Sequence, residues 1–284
     1  MKKKQVITLS KDLPGQRVSV PEGSEKKSYY KYYLEPFEDI SPELKAELRA
    51  SEGKLADTLE PEDRNKLFDV KCWPPKSGMY PLRRGGLLVA SNVKIPDITA
   101  DAVKWWGTWH GLDPLRYALW DPQDHYDITL DEASRARALD QSIPVDERLW
   151  GMRHKVVESM DQETPDIVEM EFMNPFKCGF DESYRNTDRC MSMLSAKAVL
   201  GGKIPVFMTE VVCKDENGVT EIRMRFWIGY QLQPDGTCKC KIPRFIKIPR
   251  KVASNLMIHN HREFKRLNQI LPKLYEEQKD NWEE

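Results

Sequence analysis

The sequence is poor in cysteine. Six residues, at 72, 178, 190, 213, 238 and 240, are too sparse in 284 to make a disulfide framework. It lacks any apolar run approaching the roughly 18 residues needed to span a bilayer. Its start, Met1-Lys2-Lys3-Lys4-Gln5-Val6-Ile7-Thr8-Leu9, is basic but has no signal-peptide apolar stretch. Neither sign of charge is in excess. The 44 Lys and Arg stand against 45 Asp and Glu, a net charge of -1 that argues against whole-protein attraction to nucleic acid or an anionic membrane. There is no Gly-rich phosphate loop, no Gly-x-Ser-x-Gly elbow, no internal repeat and no low-complexity tract. These absences leave a soluble protein, expected in a reducing cytoplasm.

What the sequence does have is core material. Apolar residues make up 40% and aromatics 10%, with eight Trp, and the 31% charged residues are spread rather than blocked, so an ordered core is expected. The length suits one large mixed domain with an appendage, or two modest ones. Ser41, Pro42 and Glu43 read as an N-cap, a first-turn proline and a dipole-friendly acid. They predict a helix to about Ala50, with a second short one after Pro61. Residues 74–86 read as loop and Leu87 to Ala90 as a short strand. Thr99 with Asp101 opens a helix holding Trp105, Trp106 and Trp109, and Asp113-Pro114 caps another that runs to Trp120.

From about residue 150 the pattern turns to strands: His154 to Glu158, Ile167 to Phe172, Ile204 to Cys213 and Val219 to Tyr230. The last two flank the hairpin signal Asn217-Gly218. A long helical pattern then runs from Val252 to about Leu271, where Pro272 is expected to end or kink it. The expected class is α+β: a smaller, partly helical N-terminal region (1–98), then a curved antiparallel sheet against a long C-terminal helix (99–284).

One face of that helix carries chemistry. Val252, Leu256, His259, Glu263, Leu267, Ile270 and Leu274 follow one another at spacings of three or four and form one stripe. A core-facing carboxylate is costly unless it is paired or metal-bound. One turn separates His259 from Glu263, so a ring nitrogen and a carboxylate oxygen can converge on one ion. A hydrogen-bonded core pair without an ion is the alternative. Further ligands would have to come from facing elements, where His125 follows the Trp-rich helices and either His154 or Glu158 can point at the helix. Two His and two Glu would suit zinc or another first-row divalent ion. His261 points off the stripe, toward solvent. Cys238-Lys239-Cys240 lacks a partner pair for a zinc knuckle, the Trp105-Trp106-Trp109 cluster reads as core that would also suit an aromatic substrate, and Lys241 to Lys251 reads as a solvated strand or loop.

Several blocks together resemble the diacetylphloroglucinol hydrolase and phloretin hydrolase family. They are Trp105-Trp106, then Leu112-Asp113-Pro114-Leu115-Arg116-Tyr117-Ala118-Leu119-Trp120-Asp121-Pro122-Gln123-Asp124-His125, Val156-Val157-Glu158, Glu221 to Gly229, and His259-Asn260-His261-Arg262-Glu263-Phe264 running into Ile270-Leu271-Pro272. The resemblance covers the chain from about residue 100 to its end. It implies a helix-grip (START/pollen-allergen-like) fold and one zinc ion per chain, held by His125, Glu158, His259 and Glu263. It further implies hydrolysis of the C–C bond between an acyl group and a polyhydroxylated phenolic ring, with Glu158 also catalytic and Tyr117 contacting substrate. Trp105 and Trp106 are expected beside an acylphenol substrate, and a homodimer is expected from the family and from the aromatic Tyr29-Tyr30-Lys31-Tyr32-Tyr33 stretch.

One departure stands out. The family places a His from the sheet, between its second and third ligands, in the pocket. Here no His lies between His154 and His259, and the corresponding strand reads Met208-Thr209-Glu210-Val211, with Lys203 upstream. Tyr117 or Lys203 would then have to handle a proton. Otherwise the substrate differs, a non-aromatic β-diketone for example, or the protein binds an aromatic ligand without reacting.

Overall fold

The computed structural model describes residues 18–161, 164–243 and 245–283, so the basic Met1 to Leu9 stretch lies outside the described residues. Two helices, α1 (Tyr30–Leu34) and α2 (Pro42–Ala50), precede strands β1 (Gly78–Pro81) and β2 (Leu87–Lys94). Helices α3 (Ala100–Trp109) and α4 (Pro114–Trp120) lead into β3 (His125–Leu130), followed by the short α5 (Glu132–Leu139) and α6 (Val145–Arg148). Strands β4 (Arg153–Glu158), β5 (Asp166–Met173), β6 (Ser192–Leu200), β7 (Ile204–Lys214) and β8 (Thr220–Ile228) come next. A ribbon of β9 (Tyr230–Leu232) and β10 (Cys238–Cys240) and the long α7 (Arg250–Gln278) complete the fold.

Eight strands form one antiparallel sheet in the order β1-β2-β8-β7-β6-β5-β4-β3. Helix α7 packs on β2 and β1, with α2, α3 and α4 beside it. The class is α+β, as expected. The caps act as the sequence suggested: Ser41, Thr99 and Asp113 accept from Leu44 N, Ala102 N and Leu115 N.

Four expectations are corrected. The boundary drawn at residue 98 falls inside a single sheet and core, because β1 and β2 pair into the sheet beside β8. Tyr29, Tyr32 and Tyr33 are buried against the chain's own core, Tyr29 edge-on to Trp109 at 5.1 Å, and so offer no aromatic surface to a partner. Helix α7 runs past Pro272 to Gln278. Leu274 beyond the proline is fully buried and Tyr275 packs edge-on to Trp105 at 5.5 Å, and this burial outweighs the roughly 3 kcal/mol that an interior proline costs. His261 is buried, its Nε2 3.0 Å from Ser77 Oγ, because residues 74–78 cover the face expected to be wet.

No helix among the described residues is long and apolar enough to cross a membrane.

Candidate metal centre and cavity

Register brings the first two candidate ligands together. After α4 the chain turns tightly, with the amides of Asp124 and His125 both donating to Asp121 O at 3.2 and 2.9 Å. His125 is thus the first residue of a strand rather than part of a loop, and its cross-strand partner is Glu158, the last residue of β4. From α7, His259 and Glu263 reach the same point. His125 Nε2 lies 3.1 Å from His259 Nε2, 3.5 Å from Glu263 Oε2 and 3.9 Å from Glu158 Oε2. His259 Nε2 is 3.5 Å from Glu263 Oε2. A tetrahedral ion with ligands at about 2.0–2.1 Å sets neighbouring ligand atoms about 3.3 Å apart, so this buried donor set fits one.

A second layer orients these groups. His125 Nδ1 donates to Tyr117 O at 3.2 Å, which leaves the Nε2 lone pair for the cluster. His259 Nδ1 faces Asp124 Oδ2 at 3.5 Å and Asp121 Oδ2 at 4.0 Å. Arg262 holds both carboxylates, reaching Asp124 at 2.5 Å and Asp121 at 3.2 Å. Asp121, Asp124 and His259 could themselves surround an ion, but with Arg262 already supplying a cation they read as the outer layer. Asn260 donates to Glu263 Oε1 at 2.7 Å, and the Tyr117 hydroxyl donates to the Glu158 carboxylate.

The buried groups of the cluster bias one another's protonation. Burial pushes Glu263 up to about 7 and, helped by repulsion from His259, His125 down to about 4. Burial would also depress His259, but Glu263, Asp124, Glu158 and Asp121 outweigh it and raise that imidazolium to about 10. Burial, and then Glu158, hold the Tyr117 phenol well above its usual range.

The cluster forms one wall of a cavity of about 110 Å³ between α7 and the sheet. Val156, Met170, Phe172, Leu194, Met208 and Phe226 make it apolar, and His110, Tyr117, His154, Glu210 and Asn260 add polar groups. Glu210 is buried and makes no hydrogen bond or ion pair among the described residues. Burial, and then Glu263, push its carboxyl up to about 8.

Trp105 and Trp106, expected at the substrate, do not line this cavity. They are buried in the aromatic core, Trp105 stacking on Trp109 at 4.5 Å, and Trp120 lines the cavity instead. Lys203 sits exposed in the β6–β7 turn, away from the cavity. Sequence alone assigns no role to Glu210 or to His110, one of the chain's five His. For Glu210 a signal existed: Val206, Met208, Glu210 and Val212 share one strand face, and the acid interrupts it.

The family model for the DAPG hydrolase PhiG domain matches residues 59–276. The chain belongs to that family. It is 32% identical to the phloretin hydrolase of Eubacterium ramulus, over 95% of this chain and 97% of that protein. It is 25% identical to a 2,4-diacetylphloroglucinol hydrolase of a Pseudomonas species, over 88% of each. The same identity relates it to the 2,4-diacetylphloroglucinol hydrolase of Pseudomonas protegens, over 88% of this chain and 84% of that protein.

Proposed function

We propose that this chain is a metal-dependent hydrolase that cleaves the C–C bond joining an acyl group to a polyhydroxylated phenolic ring. We further propose a helix-grip fold and one zinc ion on His125, Glu158, His259 and Glu263. The observation that carries the reading is the convergence of those four buried side chains, at ligand–ligand spacing, on an apolar cavity. The relatives' names supply the substrate class.

An acyl–aryl bond resists hydrolysis because an aryl anion leaves poorly. Protonating the ring carbon that bears the acyl group turns the fragment into a β-diketone tautomer. Water can then add to the acyl carbonyl, and the C–C bond breaks with its electron pair moving onto the ring as an enolate. The products are a carboxylic acid and the deacylated phenol. Bound zinc supplies electrophilic activation and hydroxide at neutral pH. The chain's own residues do the rest. Tyr117, held on Glu158, presents its phenol to the substrate. Glu210, protonated up to about pH 8 in the cavity wall, is the group suited to deliver the ring proton where the family's sheet His is absent. The apolar walls exclude bulk water.

The test measures zinc per chain and phloretin cleavage for the parent and for Glu263→Ala. We expect about one zinc and turnover in the parent, and neither in the variant. An active, metal-free variant would refute the reading. No metal in either protein after zinc-supplemented expression would leave His259 and Glu263 as a buried pair lining an aromatic-ligand pocket.

A further inference from the structure

The cavity holds two imidazoles that the proposed chemistry does not use. We propose that His110 and His154 form a subsite that accepts a hydrogen bond from a phenolic hydroxyl at the far end of the substrate's acyl tail. The proposal rests on the hydrolase reading above and extends it to the acyl group accepted.

His154 points into the same side of β4 as Val156 and Glu158, four residues and about 13 Å along the strand from Glu158. Only 1% of it is exposed, yet neither ring nitrogen has a hydrogen-bond partner. A buried polar group left this way calls for a reason. The ring is also specifically accommodated. A Cβ at Gly111 would lie 2.8 Å from its Cε1 and 2.9 Å from its Nε2, so only glycine leaves the imidazole its place.

His110 completes the pair, its ring 5.6 Å from that of His154 at 77°. Its Nδ1 donates to Trp106 O at 2.7 Å, which fixes the tautomer and leaves Nε2 as an acceptor. That nitrogen has no hydrogen bond among the described residues. Burial pushes His110 down to about 4 and holds His154 well below its ordinary value, so both rings are neutral acceptors rather than cations. Neutral acceptors select an O–H donor over an anion. Between this end and the candidate ligands the wall is Val156 and its cross-strand neighbour Val168, which suits a flat apolar linker. Met170 sits level with His154, and the Phe172 ring lies 4.7 Å from that of His154 at the far end, which suits a ring. The cavity is thus polar at both ends and apolar between, and matches a hydroxyphenyl-terminated acyl chain better than a short alkyl one.

The experiment compares two substrates on the enzyme as purified with its metal: a phloroglucinol carrying a 3-(4-hydroxyphenyl)propanoyl group, and its analogue without the tail hydroxyl. The parent should favour the hydroxylated compound by about fivefold to tenfold in kcat/KM, mostly through KM. In His154→Phe, which keeps a ring against Phe172, that ratio should fall to near one. A parent that does not discriminate overturns the proposal. So does a variant in which both substrates lose the same factor, since that marks a packing role. If the parent cleaves neither compound the hydrolase reading fails, and the same affinity ratio, read by quenching of tryptophan fluorescence, decides the subsite separately.

Discussion

The two faces of strand β8 are equally buried and opposite in character. On the face away from the cavity, every polar side chain is bonded. Arg223 Nε meets Glu221 at 2.9 Å, and its other nitrogens donate to Leu67 O, Asp69 O and Val70 O. Arg225 donates to Trp73 O and Ser91 O, and Trp227 Nε1 to Leu59 O. On the cavity side, Met224 and Phe226 look across to Glu210 and His154, polar groups whose side chains make no hydrogen bond among the described residues. Burial alone does not distinguish a structural charge from a working one. What distinguishes them is whether the hydrogen-bonding capacity is already used.

The largest effect is expected where that capacity is full. Arg223→Met should cost about 3–5 kcal/mol in urea denaturation, because it strands Glu221 and a row of carbonyls, while kcat per folded molecule stays unchanged. Lost turnover without lost stability would erase the contrast between the faces. An intermediate effect is expected at the boundary. Asp124→Asn removes the carboxylate facing His259 Nδ1 and should weaken zinc binding by about 10–100-fold against a competing chelator; equal affinity would remove Asp124 from the site. The last effect, at Glu210, appears in the pH dependence of stability rather than in stability or metal affinity at one pH. Its carboxyl holds a proton from its ordinary 4.5 up to about 8 in the folded chain only, so the folded state binds more protons than the unfolded across that window. Stability should therefore fall as pH rises from about 4.5 to 8, and Glu210→Gln should flatten the slope. Parallel urea midpoints for parent and variant across that range would show that Glu210 ionises normally.

Much of this was legible because it is local. Caps at Ser41, Thr99 and Asp113, the alternation in β4 and the His259–Glu263 turn are set by neighbours within a few residues. The misses are long-range. Nothing near His261 announces Ser77, 184 residues away, and nothing near Pro272 announces Trp105. Strand β6, Ser192-Met193-Leu194-Ser195-Ala196-Lys197-Ala198-Val199-Leu200, lacks the β-branched run that marks a strand and owes its form to β5 and β7 on either side. Trp105 and Trp106 suit a substrate wall and a core equally well as residue types, and only packing decides between them.

The grip of Arg262 on Asp124 spans 138 residues of chain. Contacts that distant form late, because the loop they close is long and the sheet between them must already be in register. The candidate ligands share that dependence, with His125 and His259 separated by 134 residues. A half-folded chain therefore offers at most scattered single donors. The candidate centre comes into being only with the finished molecule, so under the proposed reading metal uptake would double as a report on the completion of folding.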